Sequence, residues 1–94
     1  MVVGVCEIEF YLPGVSSLKE KRGIVKSLLA RLRSTFNVSA AEVDLQDLWQ
    51  SARIGVAVVT NSAHHADQVY HNVLAWLESH YPDAVITRHQ FELR

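Results

Sequence analysis

The sequence is short of most features that would point directly to an activity. It has one cysteine, Cys6, so neither an internal disulfide nor a cysteine-rich metal site can form within the chain. No apolar run approaches the ~20 residues of a membrane-spanning helix. No basic leader precedes the first apolar run, and acids follow it at once, which argues against a signal peptide and for a cytoplasmic protein. There is no glycine-rich phosphate loop, serine elbow or paired-cysteine motif, so a non-enzymatic role is expected. The formal net charge of -1 excludes an all-over polycation, and any nucleic-acid contact has to be local. Ninety-four residues accommodate one small domain, spanning 1–94, with no second core.

What is present is a regular alternation of patterns. Residues 2 to 12 place Val2, Gly4, Cys6, Ile8, Phe10 and Leu12 on one face and Glu7, Glu9 and Tyr11 on the other, the signature of a half-buried strand. Pro13-Gly14 interrupts it. Ser17-Leu18-Lys19-Glu20 reads as a capping box, and the following helix should run to about Thr35, with Leu18, Val25, Leu28, Leu29, Leu32 and Phe36 on one side. Asn37 ends it. Residues 38 to 46 alternate again, with Ala41, Val43 and Leu45 opposite Glu42, Asp44 and Gln46, the acids expected outward. A third strand, Ala52 to Thr60, is apolar almost throughout, as in a central strand. Asn61 or Ser62 caps a second helix that Pro82 ends, and Val85 to Leu93 forms the last strand.

The order is β-α-β-β-α-β. Right-handed crossovers then set the first and third strands side by side, with both helices on one face of a four-stranded antiparallel sheet. This is the ferredoxin-like α+β sandwich.

Charge is distributed unevenly along the chain. Residues 17–33 hold six of the nine basic side chains, Lys19, Lys21, Arg22, Lys26, Arg31 and Arg33, against the single acid Glu20. The rest of the chain carries three basic residues against nine acids. With Lys19 at 0° on a helical wheel, Lys26 falls near 340°, Arg33 near 320° and Arg22 near 300°, one narrow stripe about four turns long. A solvated helix face would explain cations here, since Lys and Arg are good helix formers whose stems cover apolar neighbours. Two details favour an anion site. No acid interleaves the stripe, and Lys19, Lys21 and Arg22 crowd the first turn, where the helix dipole disfavours cations by roughly 0.3–1 kcal/mol each. Together with free N–H groups at the helix start they could cradle a phosphate. The open sheet face offers Glu7 and Glu9 with only Tyr11 as an aromatic, so base stacking on the sheet is not expected, and an RNA contact would be helix to backbone and salt-sensitive.

Leu18-Lys19-Glu20-Lys21-Arg22, Phe36-Asn37-Val38-Ser39, Ala41-Glu42-Val43-Asp44 and Asp47-Leu48-Trp49-Gln50 resemble the YlxP-like family of small bacterial proteins, as do Gly55-Val56-Ala57-Val58-Val59 and Asn61. The family is a domain of unknown function. The resemblance implies a ferredoxin-like fold and, because its members are commonly encoded beside translation and ribosome-maturation proteins, a link to translation or ribosome assembly. It carries over no catalytic residue.

Other candidates weigh less. His64, His65, His71, His80 and His89 lack any His-x-x-x-His pair, and no metal or other cofactor is expected. Cys6 alternates with buried positions and should be inert. Trp49, in the connection between the second and third strands, either folds back over the core or anchors a partner, with Gln50 and Arg53 as its polar rim. Two functions therefore stand from the residues. One is a binding module that meets ribosomal RNA or the small ribosomal subunit through Lys19, Lys21, Arg22, Lys26 and Arg33. The other is a homodimeric interaction domain that uses the open sheet face and an exposed strand edge, without nucleic acid.

Overall fold

The structure, a computed structural model, describes residues 1–94. Its elements are β1 (Val2–Tyr11), α1 (Leu18–Phe36), β2 (Ser39–Asp44), β3 (Ser51–Thr60), α2 (Ala63–His80) and β4 (Val85–Leu93). The strands form one sheet in the order β2-β3-β1-β4, and all three pairings are antiparallel. This is the ferredoxin-like sandwich that the periodicities imply.

The period-2 patterns set which face each strand buries. In β1, Cys6, Ile8 and Phe10 point to the helices, and in β3 Ala52, Ile54, Val56 and Val58 do the same. They form one apolar core with Leu28 and Leu32 of α1 and Ala66, Val73 and Leu77 of α2. Gly4 is buried in the same layer because α2 passes so close. A Cβ there would lie 3.0 Å from that of Ala66 and 3.1 Å from a Val58 methyl.

Both helices start at serine caps. Ser17 Oγ accepts from the Glu20 amide at 3.1 Å, and Ser62 Oγ accepts from the His65 amide at 3.2 Å. α1 ends at Asn37, which adopts a left-handed conformation (φ 50°, ψ 52°), one that asparagine tolerates better than most residues.

The second strand departs from its expected phase. Val38, Ala40 and Glu42 face the helices, whereas Ala41 and Val43 lie on the open side. Glu42 sits opposite the buried Ile54, so it is not an outward acid paired with Asp44. A bulge at Val43 then shifts the register, and Asp44 returns to the open face opposite Arg53. A carboxylate is tolerated on the covered face because α1 supplies it with a cation.

Candidate functional site

That cation is Lys21. It lies on the inward side of the first turn of α1 and is fully buried, at 0% exposure. Its ammonium donates to the carbonyls of Leu45 and Leu48, both at 2.6 Å, and lies 3.5 Å from that of Gln46. The Glu42 carboxylate is 3.0 Å away. This last contact is ionic rather than a well-directed hydrogen bond, since the buried Glu42 Oε2 accepts no hydrogen bond of good geometry. An unpaired ammonium could not be buried at tolerable cost, and here two short hydrogen bonds and the ionic contact with Glu42 compensate it. Lys21 therefore cannot reach a phosphate, and its place among the RNA-contacting cations is corrected. On the wheel that aligns the stripe, Lys21 falls near 200°, inside the arc of about 180–280° held by the buried leucines and valines. That position was the available signal of its structural role.

The cage explains the loop between β2 and β3. Leu45 takes a positive φ of 63°, stabilised by its amide donating to Asp44 Oδ1 at 2.8 Å, and the Leu48 amide closes a turn onto the Leu45 carbonyl. The turn carbonyls point inward to Lys21, and the next two side chains project outward. Leu48 is 50% exposed and Trp49 is 49% exposed, so Trp49 does not fold back over the core. The polar rim expected around it is engaged elsewhere. Gln50 Nε2 donates to the Val15 carbonyl at 3.1 Å and ties this loop to the turn after β1. Arg53 lies on the open sheet face and bridges Glu9 at 2.6 Å and Asp44 at 3.1 Å. The hydrogen bond to Glu9 raises the Arg53 pKa further above its already high ordinary value, with desolvation opposing.

The remaining basic residues of α1 divide into two groups. Lys19, Arg22 and Lys26 are exposed, and none has an ionic partner within the chain. Arg33 is also exposed, but its Nε and Nη2 both donate to the Ala40 carbonyl, at 3.1 and 3.0 Å. It ties the end of α1 to β2 and keeps only part of its donor set free. Arg31 lies on another side, its guanidinium 5.5 Å from the Trp76 ring centroid and 5.3 Å from that of Tyr81.

The first turn also differs from an open phosphate cradle. The Glu20 carboxylate reaches back to Ser16, accepting from its amide at 3.2 Å and its hydroxyl at 3.0 Å. This is a capping box displaced by one residue, and it supplies the negative charge that a helix N-terminus favours. The accessible cationic surface is accordingly the outward stripe rather than the helix end.

No three His, Cys, Asp or Glu side chains converge in a metal-binding group. His71 neighbours Asp67 on α2, His80 bonds the Trp76 carbonyl, and His89 bonds the Tyr70 hydroxyl. Burial raises the Tyr70 phenol pKa. It also pushes the Cys6 thiol up to about 11. Glu7 and Glu9 do line one shallow depression of about 250 Å³ with Arg53, Arg88, His89 and Gln90. Both carboxylates are already engaged, Glu9 by Arg53 and Glu7 by Gln90 Nε2 at 2.6 Å.

Comparison with known proteins agrees with the resemblance. A family model described as "Protein of unknown function (DUF503)" matches residues 3–90. The chain is similar to the "Uncharacterized protein YlxP" of Bacillus subtilis (strain 168), with 37% identity over 78 residues that cover 83% of this chain and 85% of the relative.

Proposed function

The chain belongs to the "Protein of unknown function (DUF503)" family, and from that premise we propose that it is a non-enzymatic module that binds RNA on a ribosomal particle through the exposed stripe of α1. Lys19, Arg22 and Lys26 hold backbone phosphates by charge, and Arg33 adds a partial contact while remaining bound to Ala40. The observation that carries this reading is that three cations stand together on one helix side without an ionic partner in the chain, although its net charge is -1. Of the three basic residues outside α1, Arg53 and Arg94 pair with acids and only Arg88 does not. The open sheet face sets Glu7, Glu9 and Asp44 against Arg53 and Arg88, and so offers no comparable run of free cations to a phosphate backbone. Because phosphate contacts position rather than specify, the module recognises shape and charge density, not sequence.

The test is binding of small ribosomal subunits, and of a structured ribosomal RNA fragment, at two salt concentrations. Three phosphates neutralised predict a slope of log affinity against log salt of about -2 to -3. Between 50 and 200 mM salt that is a loss of roughly fifteen- to sixty-fold. The Lys19→Gln/Arg22→Gln/Lys26→Gln variant should fold as the parent does and lose binding and slope together. Binding that survives in that variant, or no binding at the lower salt, sinks the proposal.

A further inference from the structure

The two edges of the sheet differ. The β2 edge is short, Ser39–Asp44, and is interrupted by the bulge at Val43, a common protection against edge-to-edge pairing. The β4 edge, Val85–Leu93, has a bulge of its own at Thr87, but beyond it Arg88–Leu93 pairs with β1 without a break, and no strand covers its outer side. Its backbone phase follows from the terminal pair. Arg94 and Val3 exchange both amide hydrogen bonds at 2.8 Å, so Glu92, Gln90 and Arg88 also turn their backbone groups to β1. His89, Phe91 and Leu93 then turn theirs outward, a row of unpaired donors and acceptors.

From this edge we infer that the protein forms a two-fold symmetric dimer in which β4 pairs antiparallel with β4 of a second copy, centred on Gln90. Outward-facing backbones must meet, so only registers in which His89, Phe91 and Leu93 oppose one another are allowed. Centring on Arg88 opposes two arginines, and centring on Glu92 opposes two glutamates. Centring on His89 sets Arg88 against Gln90, and centring on Phe91 sets Arg88 against Arg94. Centring on Gln90 alone sets Arg88 opposite Glu92 of the second copy, twice by symmetry. Arg88 is exposed and has no ionic partner within its own chain. Glu92 is 65% exposed and meets only the terminal Arg94. The same register sets His89 opposite Phe91 of the second copy on the helix-covered side. There Phe91 already stacks on Tyr70 at 4.8 Å and 17°, so the aromatic strip continues across the axis. The charges on this edge are therefore self-complementary rather than protective, and the product is one eight-stranded sheet with the α1 stripes at its outer parts.

Light scattering of the full chain over a concentration series should give twice the chain mass. In the oxidised Gln90→Cys variant the two introduced thiols face one another across the axis at a non-hydrogen-bonded pair, with Cα atoms roughly 4.5 Å apart and so within disulfide reach, and should form a disulfide-linked dimer. Arg88→Cys should not, since its symmetry mates lie about 13 Å apart along the strands. Cys6 is buried and does not compete. Arg88→Glu should weaken dimerisation about tenfold or more, and Arg88→Glu/Glu92→Arg should restore it. A monomer at every concentration overturns the inference, as does a dimer that Gln90→Cys fails to link.

Discussion

Replacing Lys21 by methionine tests the central electrostatic claim. Methionine keeps most of the stem volume and removes the ammonium. The change leaves the Glu42 carboxylate, whose side chain is 17% exposed, without its cation, and leaves the Leu45 and Leu48 carbonyls without their donor. Breaking a buried ion pair from one side costs about 3–5 kcal/mol. The carbonyls add less than their full desolvation penalty, because their loop is exposed and can turn them to water. A domain of this size has a total stability on the order of 5–15 kcal/mol, so the variant should lie close to its unfolding threshold. Its melting temperature should fall by at least about 12 °C. Urea unfolding followed by circular dichroism measures the loss. The double variant Lys21→Met/Glu42→Leu should recover most of it, since removing both charges leaves no buried orphan. If Lys21→Met unfolds within 0.5 kcal/mol of the parent, a figure at the level of ordinary surface substitutions, the cage is not what holds this loop. RNA affinity, measured where the variant is still folded, should be unchanged, which separates Lys21 from the outward stripe.

Other perturbations probe the remaining parts. Gly4→Ala forces a methyl against Ala66, Val58 and Phe91, and should cost about 1–3 kcal/mol in chemical denaturation. Gly23→Ala, on the open side of α1 with nothing near its Cβ, should instead stabilise by roughly 0.5–1 kcal/mol. A destabilised Gly23→Ala would mean that this side of the helix is covered. The Cys6 thiol, raised by burial to about 11 from an ordinary 9.0, should resist thiol reagents at neutral pH until the chain unfolds. Folding keeps this thiol neutral, so its contribution to stability is complete below about pH 9 and is lost as pH rises towards 11. A Cys6→Ala variant should lack that alkaline component in pH-dependent melting.

Much of the architecture was legible because its causes are local. The alternation in β1 and β3, the serine caps, Pro13-Gly14, Asn37 and Pro82 each act within a few residues, and short connections leave few ways to arrange six elements. The phase of β2 was not legible. Its apolar residues are small and few, and Ala41 and Val43 compete with Val38 and Ala40 for the core. The bulge that reverses the alternation depends on pairing with β3. The candidate site was legible as a concentration of charge but not as a set of usable groups.

By itself the sequence determined the element order, the sandwich that follows from it, and the concentration of six of the nine basic side chains in α1. Periodicity and charge counts are properties of the chain alone. Only the tertiary structure decided what each charge does. Lys21 became an internal counterion for Glu42 and a scaffold for the Leu48-Trp49 turn, Arg33 a strap onto β2, and Arg53 a bridge between Glu9 and Asp44. Lys19, Arg22 and Lys26 were left facing solvent. The physical reason is that a charge is defined by its surroundings. Whether an ammonium is a surface ligand or a buried structural ion depends on acceptors brought to it from distant parts of the chain, and no local pattern encodes their arrival.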